Sequence, residues 1–549
     1  ANNVIYSDLT NQAATPTNEL TAFVSGGFSL GNASAVNDAA SDTYVSWNWK
    51  AGGILNQSAS FNGSNSYIST GYTAPTGTAA SISLWVNIAS YTSYGGFAID
   101  STGTGAEARF TLGQGNAAGK LWVSVGDGST SWYDETTLSL TSYGLNKWFH
   151  LVGTVDGTSV KIYINGSLIH TFTSSVSYVG GGQHNYYFGG WGNSLHLNGK
   201  MDQVRFFNRA ILDSEVTTLY NETSSTINTL QALGYNSCVA AFPLGANAND
   251  LNTNNTSSSA ANITFNNPGH LHRNTNGTIE STVSASPESG FSIVKATFNT
   301  SSPQTIGHGL TSAPEFIISK RTSTTSDWNC YHKFVDATAP EDYLIKLNST
   351  DARSNNSIYW NDTAPTSSVF TTGSIYDQSE TVIFYCFHSI DGYQRIGSFI
   401  GNGSNDGPFI YTGFEPAWVI IKNANTAYRW YMLDNKRCTT NPNNARLFAN
   451  ANTVEATNSN ILNFHTNGFE LITSDAEVNK NGDTMIFIAI AANPDTTAPT
   501  KANSFKTKIY TGTGNTHAIT GLGFKPDFIW TKNRDDTDSS ALVDSVRGI

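Results

Sequence analysis

Between Ile54 and Glu222, apolar residues persist for only a few positions before a Gly, Asn or Ser turn interrupts them. SISLWVNIAS from Ser81 and WFHLVGTVDGTSVKIYINGSLIHTF from Trp148 alternate in part between apolar and polar, the period of a strand with one buried face. Asp156-Gly157 and Asn165-Gly166 each predict a type I′ hairpin, since both central residues of that turn need positive φ. ILDSEVTTLYNE from Ile211 is the clearest helix, with Val216, Leu219 and Tyr220 at helical spacing and Asp213 as the expected N-cap. The segment after it carries NANDLNTNNTSSSAANITF and reads as a polar connector with short strands.

A longer period lies on top of this local one. APEFIISK, EPAWVIIK and KPDFIWTK each join a proline, an apolar run and a lysine; their prolines, Pro314, Pro416 and Pro526, are 102 and 110 residues apart. TVIFYCFHSIDG from Thr381 is answered 103 residues later by TMIFIAIAANPD from Thr484. Such spacing predicts tandem modules, each the size of one β-sandwich. The amino terminus carries only the closing half of a module: Gly27-Phe28 precedes Thr43 by the interval that separates Gly468-Phe469 from Thr484. The carboxyl terminus, up to SALVDSVRGI, carries only the opening half.

The expected fold is therefore all-β. Residues 1–53 are the closing half of a split repeat, 54–222 a sandwich and 223–287 a connector. Residues 288–394 and 395–497 are two full repeats, and 498–549 the opening half. Repetition of whole modules favours a built object over a single active site.

Composition narrows the partners. Charged residues make up 13% of the 549, about half the usual quarter. A net charge of −12 leaves no basic stripe, so nucleic acid is not an expected partner. No stretch approaches the roughly 18 apolar residues of a membrane span, and the first residues carry no export signal, so the chain is expected to be soluble. Cys238, Cys330, Cys386 and Cys438 show no zinc spacing and read as free thiols, although Cys330 and Cys386 fall within one repeat and could bridge.

ASFNGSNSYIST, SLWVNI, KWFHLVGTVDGTSVKIYINGSLI and GKMDQVRFFNRAILDSEVTTLYNE together resemble a laminin-G-like, concanavalin-type jelly roll over about 170 residues. From Glu288 onward, ESGFSIVKATF, IGSFIGNGSNDGPFIYTGFEPAWVIIK, NGFELITSDAEVNKNGDT and GFKPDFIWTKNRDDTDSSALVDSVRG resemble a β-rich module of marine phage virion proteins. That resemblance covers most of residues 275–549 and implies a tail-fibre or head-surface polypeptide, with no chemistry attached. The expected function is a non-enzymatic virion surface or fibre protein whose jelly roll displays loops for a host glycan or receptor. A bacterial extracellular adhesin or filament subunit is the alternative, and a polysaccharide-degrading enzyme the third reading.

Aromatic faces stack on pyranose rings, so Trp85, Trp122, Trp132, Trp148 and Trp191 are the first candidates. Trp85 and Trp148 sit in alternating strands and are expected in the core, whereas Trp132 and Trp191 lie in Gly/Ser-rich loops as ligand candidates. The jelly-roll resemblance implies calcium at a loop end, with Asp202 at a frequently acidic position and Asn62 near it; the plain reading of Asp202 is a turn-binding acid, and no DxDxDG string is present. Glycosidases of this fold carry an E-x-D-x-x-E run, which is absent here. Asp134-Glu135 would face opposite ways on a strand and reads as a solvated loop.

No GxSxG elbow occurs, and His308, His332, His388, His465 and His517 share no repeat position. Lys320, Lys422 and Lys532 each follow their proline by six residues; the plain expectation is a strand-end lysine reaching solvent, the sharper one an isopeptide cross-link.

The two half-repeats need completion, because each is too small to bury a stable core and has open strand edges. Closure within the chain, head-to-tail pairing between copies, or a longer polypeptide of which this is one period would each serve. Propagation between units is the favoured expectation, with copies of the chain as partners.

Overall fold

A computed structural model describes residues 4–14, 19–24, 26–38, 42–52, 57–74, 76–100, 110–116, 119–129, 131–181, 185–191, 195–222, 238–244, 259–268, 272–299, 303–492 and 505–547. The chain divides into two compact units, Ile54–Arg273 and the pair of segments Ala1–Gly53 and Asn274–Ile549.

The first unit is a sandwich of two antiparallel sheets. One runs Trp132–Glu135, Leu121–Gly126, Phe110–Gln114, Gly96–Ile99, Asn185–Phe188, Tyr67–Thr73, Ser259–Ala261. The other runs Ser167–Thr173, Ser159–Ile164, Trp148–Asp156, Ala79–Ser90, Asn198–Phe207, Gln57–Asn62, Thr264–Pro268. Alternate residues such as Leu84, Val86, Phe149 and Leu151 meet Leu112, Val123 and Phe188 in one apolar core.

Alternation in Trp148–Asp156 is only partial because its other face is covered too. Val152 packs with Tyr163, Phe207, Val216 and Leu219 under the helix Asp213–Tyr220. Trp85 and Trp148 are buried, as their strand positions implied.

Two local expectations shift by one residue. Asn165 (φ 51°) and Gly166 (φ 80°) form the expected turn, but at the other hairpin Asp156 pairs with Ser159, so the loop is Gly157-Thr158 with positive φ at Gly157. The helix begins at Asp213 itself; Glu215 accepts from the Leu212 N–H at 2.7 Å, satisfying the first open donor.

The connector expectation fails more substantially. Cys238–Phe242 pairs with Asn198–Phe207, Ser259–Ala261 with Tyr67–Thr73, and Thr264–Pro268 with Gln57–Asn62. Phe242 is fully buried, 5.1 Å from the Phe188 ring centroid, so this Asn/Ser-rich segment supplies edge strands and core to the jelly roll.

The second unit contains three repeats with one strand order. In repeat 1 the main sheet includes Phe291–Thr297, Thr381–Phe387, Phe316–Arg321, Asn329–His332 and Tyr343–Lys346 in succession. Repeat 2 gives Gln394–Ile400, Thr484–Ala491, Pro416–Asn423, Tyr431–Asp434 and Leu447–Phe448. The third is Phe505–Thr511, Thr43–Trp49, Phe528–Asn533, Ala541–Asp544 and Ile5–Tyr6. A smaller sheet backs each main sheet around a private core, while the opposite faces contribute Trp47, Trp49, Phe316, Trp328, Trp418, Trp430 and Trp530 to a core common to all three.

The third repeat overturns the head-to-tail expectation. Thr43–Trp49 inserts between two carboxyl-terminal strands, with Trp49 opposite both Phe505 and Phe528, and Ile5 pairs with Leu542. The halves complete each other within the chain. Sequence distance misled here because each repeat touches both others, which brings the first and last repeats together. Trp328 Nε1–H donates to the Tyr6 carbonyl at 2.9 Å, Trp430 Nε1–H to the Lys346 carbonyl at 2.9 Å, and Ser7 Oγ–H to the Ala449 carbonyl at 2.6 Å.

The repeated lysines are also not where expected. Lys320, Lys422 and Lys532 are fully buried. Lys320 donates to the carbonyls of Thr10 (2.9 Å) and Ser326 (2.8 Å), Lys422 to those of Thr350 (2.9 Å) and Tyr428 (2.6 Å), and Lys532 to that of Asp538. Burial pulls each ammonium down to about 8. Lys320 and Lys422 thus each clamp their own repeat to a neighbouring one, through Thr10 and Thr350, while Lys532 holds a loop of its own repeat; their bonded partners include no acid or amide side chain, so none is a solvated tip or a cross-link site. Cys330 and Cys386 face opposite sides of their sheet, in the common core and the private core respectively, and both are free thiols.

Candidate functional site

A cluster of aromatic rings and a carboxylate stands at the outer edge of the first sheet of the jelly roll. Leu121–Gly126 and Trp132–Glu135 are antiparallel with Gly126 opposite Trp132 and Ser124 opposite Asp134. Asp127 Oδ1 holds the connecting loop by accepting from the N–H groups of Ser129 (2.8 Å) and Ser131 (3.1 Å). The period of two then places Trp122, Trp132 and Asp134 on one face, while Val123, Val125 and Glu135 turn inward.

On that outer face one carboxylate orients two indoles. Trp122 Nε1–H donates to Asp134 Oδ1 at 3.0 Å and Trp132 Nε1–H to Asp134 Oδ2 at 3.3 Å. Tyr94 abuts the Trp122 ring edge-on, with centroids 5.4 Å apart. Gly113 lies opposite Trp122, where a Cβ would come within 3.1 Å of Trp122 Cε3; its absence lets the indole lie across the strand. Trp132 remains 42% exposed.

The arrangement offers groups that a sugar can use. Each Asp134 oxygen accepts one indole proton and keeps a second lone pair for a hydroxyl, beside an aromatic face that can take pyranose C–H groups. Glu135, the next residue, is 8% exposed and accepts from the Thr137 N–H at 2.7 Å on the opposite face. The two acids therefore do not flank a common bond as a hydrolytic pair would. They stand on a strand, not in the solvated loop expected.

The other sequence candidates are not assembled into this site. Trp191, half-buried, follows Asn185–Phe188, which three intervening strands separate from Trp132–Glu135, a span of roughly 19 Å at the usual strand spacing. Asn62 pairs with Asn198, four residues along the strand from Asp202 and hence about 13 Å from it. Asn62 Oδ1 instead caps its own turn, accepting from the N–H groups of Ser64 (3.0 Å), Asn65 (3.1 Å) and Ser66 (3.2 Å). Asp202 is buried in mid-strand opposite Trp85, away from any loop end. Among the described residues no group of three or more His, Cys, Asp or Glu could hold a metal ion, and no helix is long and apolar enough to cross a membrane.

Trp122 was among the tryptophans considered and Asp134 was expected in a solvated loop, but their joining with Trp132 in one cluster was not anticipated. The signal was Trp132-Tyr133-Asp134 after an Asp-Gly turn, with Trp122 on the approaching strand.

Fold and site thus define a two-sheet jelly roll, with an aromatic edge, inserted in sequence within a three-repeat β unit. Residues 191–494 and 500–549, more than half the chain, match a family described as a domain of unknown function, DUF7483, and the chain belongs to that family. Residues 62–217 match Laminin_G_3, described as the concanavalin A-like lectin/glucanases superfamily.

Among solved structures, the chain is similar to domain 4 of AbnA, a GH43 extracellular arabinanase from Geobacillus stearothermophilus, in complex with arabinotriose. Identity there is 23%, over 31% of this chain and 80% of that one, with TM-score 0.25. A putative carbohydrate binding protein from Bacteroides ovatus is 18% identical over 39% of this chain and 62% of that one, TM-score 0.29. The Ruminococcus gnavus IT-sialidase CBM40 bound to α2,3 sialyllactose is 14% identical over 31% and 100%, TM-score 0.24. No curated protein matches the chain.

Proposed function

We propose that this chain is a non-enzymatic display protein whose jelly-roll unit binds pyranose glycans through Trp132, Trp122 and Asp134. The observation that carries this reading is the pair of indole N–H groups fixed on the two oxygens of one surface carboxylate. Rings held this way lose little freedom when a sugar stacks on them, which favours binding. The description of the matched superfamily, lectins and glucanases, supports a glycan as ligand. The opposite orientations of Asp134 and Glu135 favour binding over cleavage. The sequence resemblance to virion proteins supports a place at a particle surface, with a host glycan or receptor as partner; an exported adhesin is the alternative, and neighbouring capsid or tail genes would decide for the first.

The test is an array of printed pyranose oligosaccharides. The intact protein should bind a subset of them, and Trp132→Ala and Asp134→Ala should each weaken that binding at least tenfold. Unchanged binding in both variants, or release of new reducing ends from a bound glycan, would overturn the reading.

A further inference from the structure

The three repeats form an internal control, because one small-sheet position occurs three times with three sets of side chains. In repeat 2, Phe409 pairs with Glu470 and Tyr411 with Gly468. On the next strand Asn463 pairs with Glu470 and His465 with Gly468. Directly paired residues share a face. Ile410, between the two aromatics, is buried in the repeat's own core, so this face is the outer one.

Phe409 is 48% and Tyr411 66% exposed. The Phe409 ring meets His465 edge-on with centroids 5.6 Å apart, and His465 Nε2–H donates to Glu470 Oε2 at 3.1 Å.

The sister repeats fill the same positions differently. In repeat 1, Ile306 pairs with Phe370 as Ile410 does with Phe469, and Thr305 and Gly307 stand where repeat 2 has Phe409 and Tyr411, with Thr371 in place of Glu470. In the third repeat, Ile519 pairs with Phe28, so Ala518 replaces Phe409, Ser29 replaces Glu470 and Val24 replaces His465. Both sister sheets fold with small or aliphatic residues at these places. Folding therefore does not call for two exposed rings, a carboxylate and an imidazole, and adjacent rings left in water point to a ligand.

We infer that this face of repeat 2 is a second glycan-binding site, where a pyranose stacks on Phe409 and Tyr411 and hydrogen-bonds Glu470 and His465. The two rings are about 7 Å apart along the strand, a flat strip rather than a cleft. An apolar partner would need apolar neighbours, whereas the remainder of the face is Glu470, His465 and Asn463, groups that exchange hydrogen bonds with hydroxyls. The inference stands independently of the jelly-roll site, because it rests on the comparison among repeats.

The experiment uses the full chain on the same array of pyranose oligosaccharides, in three forms. These are the wild type, a Trp122→Ala/Trp132→Ala variant, and that variant with Phe409→Thr and Tyr411→Gly added. The added residues are those repeat 1 already carries, so the fold should tolerate them. The first variant should keep a subset of bound glycans, and the second should lose that subset at least tenfold with little change in melting temperature. No binding by the first variant, or an unchanged array for the second, overturns the inference. If the second variant unfolds, Glu470→Gln in the first background keeps both rings and should weaken the same subset threefold or more; no weakening overturns it as well. The two sites fail separately: loss only with Trp122 and Trp132 removes this one, and loss only with Phe409 and Tyr411 removes the other.

Discussion

Asp134 of the jelly-roll unit and Asp434 of the three-repeat unit each hold an indole N–H, one at the surface and the other in the interior. In the jelly roll the conspicuous carboxylate, Asp134, stands at a sheet edge beside exposed indoles. In the repeats the carboxylates that end the equivalent strands are interior. Asp434 is fully buried, bonded to Arg437 at 2.6 Å and accepting from Trp47 Nε1–H at 3.2 Å, which joins repeat 2 to the third repeat. Asp544, likewise buried beside Arg547, accepts from the Tyr385 hydroxyl at 2.7 Å and joins the third repeat to repeat 1. Repeat 1 ends the equivalent strand in His332, which donates to the Phe487 carbonyl of repeat 2 at 3.3 Å. Two aspartates and one histidine at the same strand position thus serve the three joints between repeats. Both units bury polar pairs, the jelly roll its Arg205–Glu222 pair at 2.7 Å, so the contrast teaches something narrower: in the repeats an indole-holding carboxylate joins one module to the next, whereas Asp134 holds its indoles at the surface, where a ligand can reach them.

The largest expected effect breaks the jelly roll at its misread boundary. A fragment of residues 54–273 should melt in one sharp transition, because all its sheet partners are present. A fragment of 54–222 lacks Cys238–Phe242 and so loses Phe242, whose removal alone is worth about 3–5 kcal/mol in a core. It should melt broadly or not express as a folded species. Equal, sharp calorimetric transitions for both fragments would show that the segment after Thr223 contributes nothing.

Next in size is the interior joint. Asp434→Ala leaves the Arg437 guanidinium buried without its nearest acid, although Glu455 still lies 2.9 Å from it. The cost should be about 3–5 kcal/mol, the usual penalty for breaking one side of a buried pair. It should appear in the transition of the three-repeat unit and leave that of the jelly roll in place. A shift of both transitions together would contradict the division of chemistry between the units.

How much of this could be read from the sequence follows the same division. Strand alternation, the hairpin at Asn165-Gly166, the helix after Ile211 and the repeat anchors at Pro314, Pro416 and Pro526 were legible because they depend on neighbours a few residues apart, or on a repeated string. Ring closure was not legible, since the pairing of Thr43–Trp49 with strands beyond Phe505 depends on contacts over more than 450 residues. Lys320 was misread for a related reason: what buries it is the carbonyl of Thr10 in another repeat. Of the site, Trp132 was identified as a loop ligand candidate, whereas the grouping of Trp122 and Asp134 with it became visible only once the register of two strands was known. Asp202 and Asn62 matched a resemblance one residue at a time, and the register holds them apart.

A third effect concerns acid. Burial pulls His332 down from 6.5 to about 4, with the backbone of Phe487 and the charge of Glu315 opposing. A depressed folded value means that the unfolded chain binds the proton first, so the stability is intact above 6.5 and is lost as pH falls toward 4. The loss from His332 alone is on the order of 3 kcal/mol at pH 4. Asp527 acts with the opposite sign: burial raises it to about 6, so its contribution is present below 3.8 and fades as pH rises through 6. Denaturant titrations from pH 4 to 6.5 should show rising stability, and His332→Asn should flatten the rise. A slope unchanged by that substitution would remove His332 as its source.

The smallest expected effect is the sharpest probe of the contrast. Trp132 is an exposed edge-strand residue, so Trp132→Ala removes little packing and should change unfolding free energy by no more than about 0.5 kcal/mol. The bond from its Nε1–H to Asp134 is solvent-exposed, and water can replace it at little cost. The same change should remove most jelly-roll glycan binding, since the stacking surface is gone. Paired measurement of melting temperature and array binding on one preparation separates these effects. A loss of several degrees would mean that the two indoles and Asp134 brace the edge strand, making the cluster structural as Asp434 is structural in the repeats. A constant melting temperature with lost binding would place the surface carboxylate and the buried one in different roles.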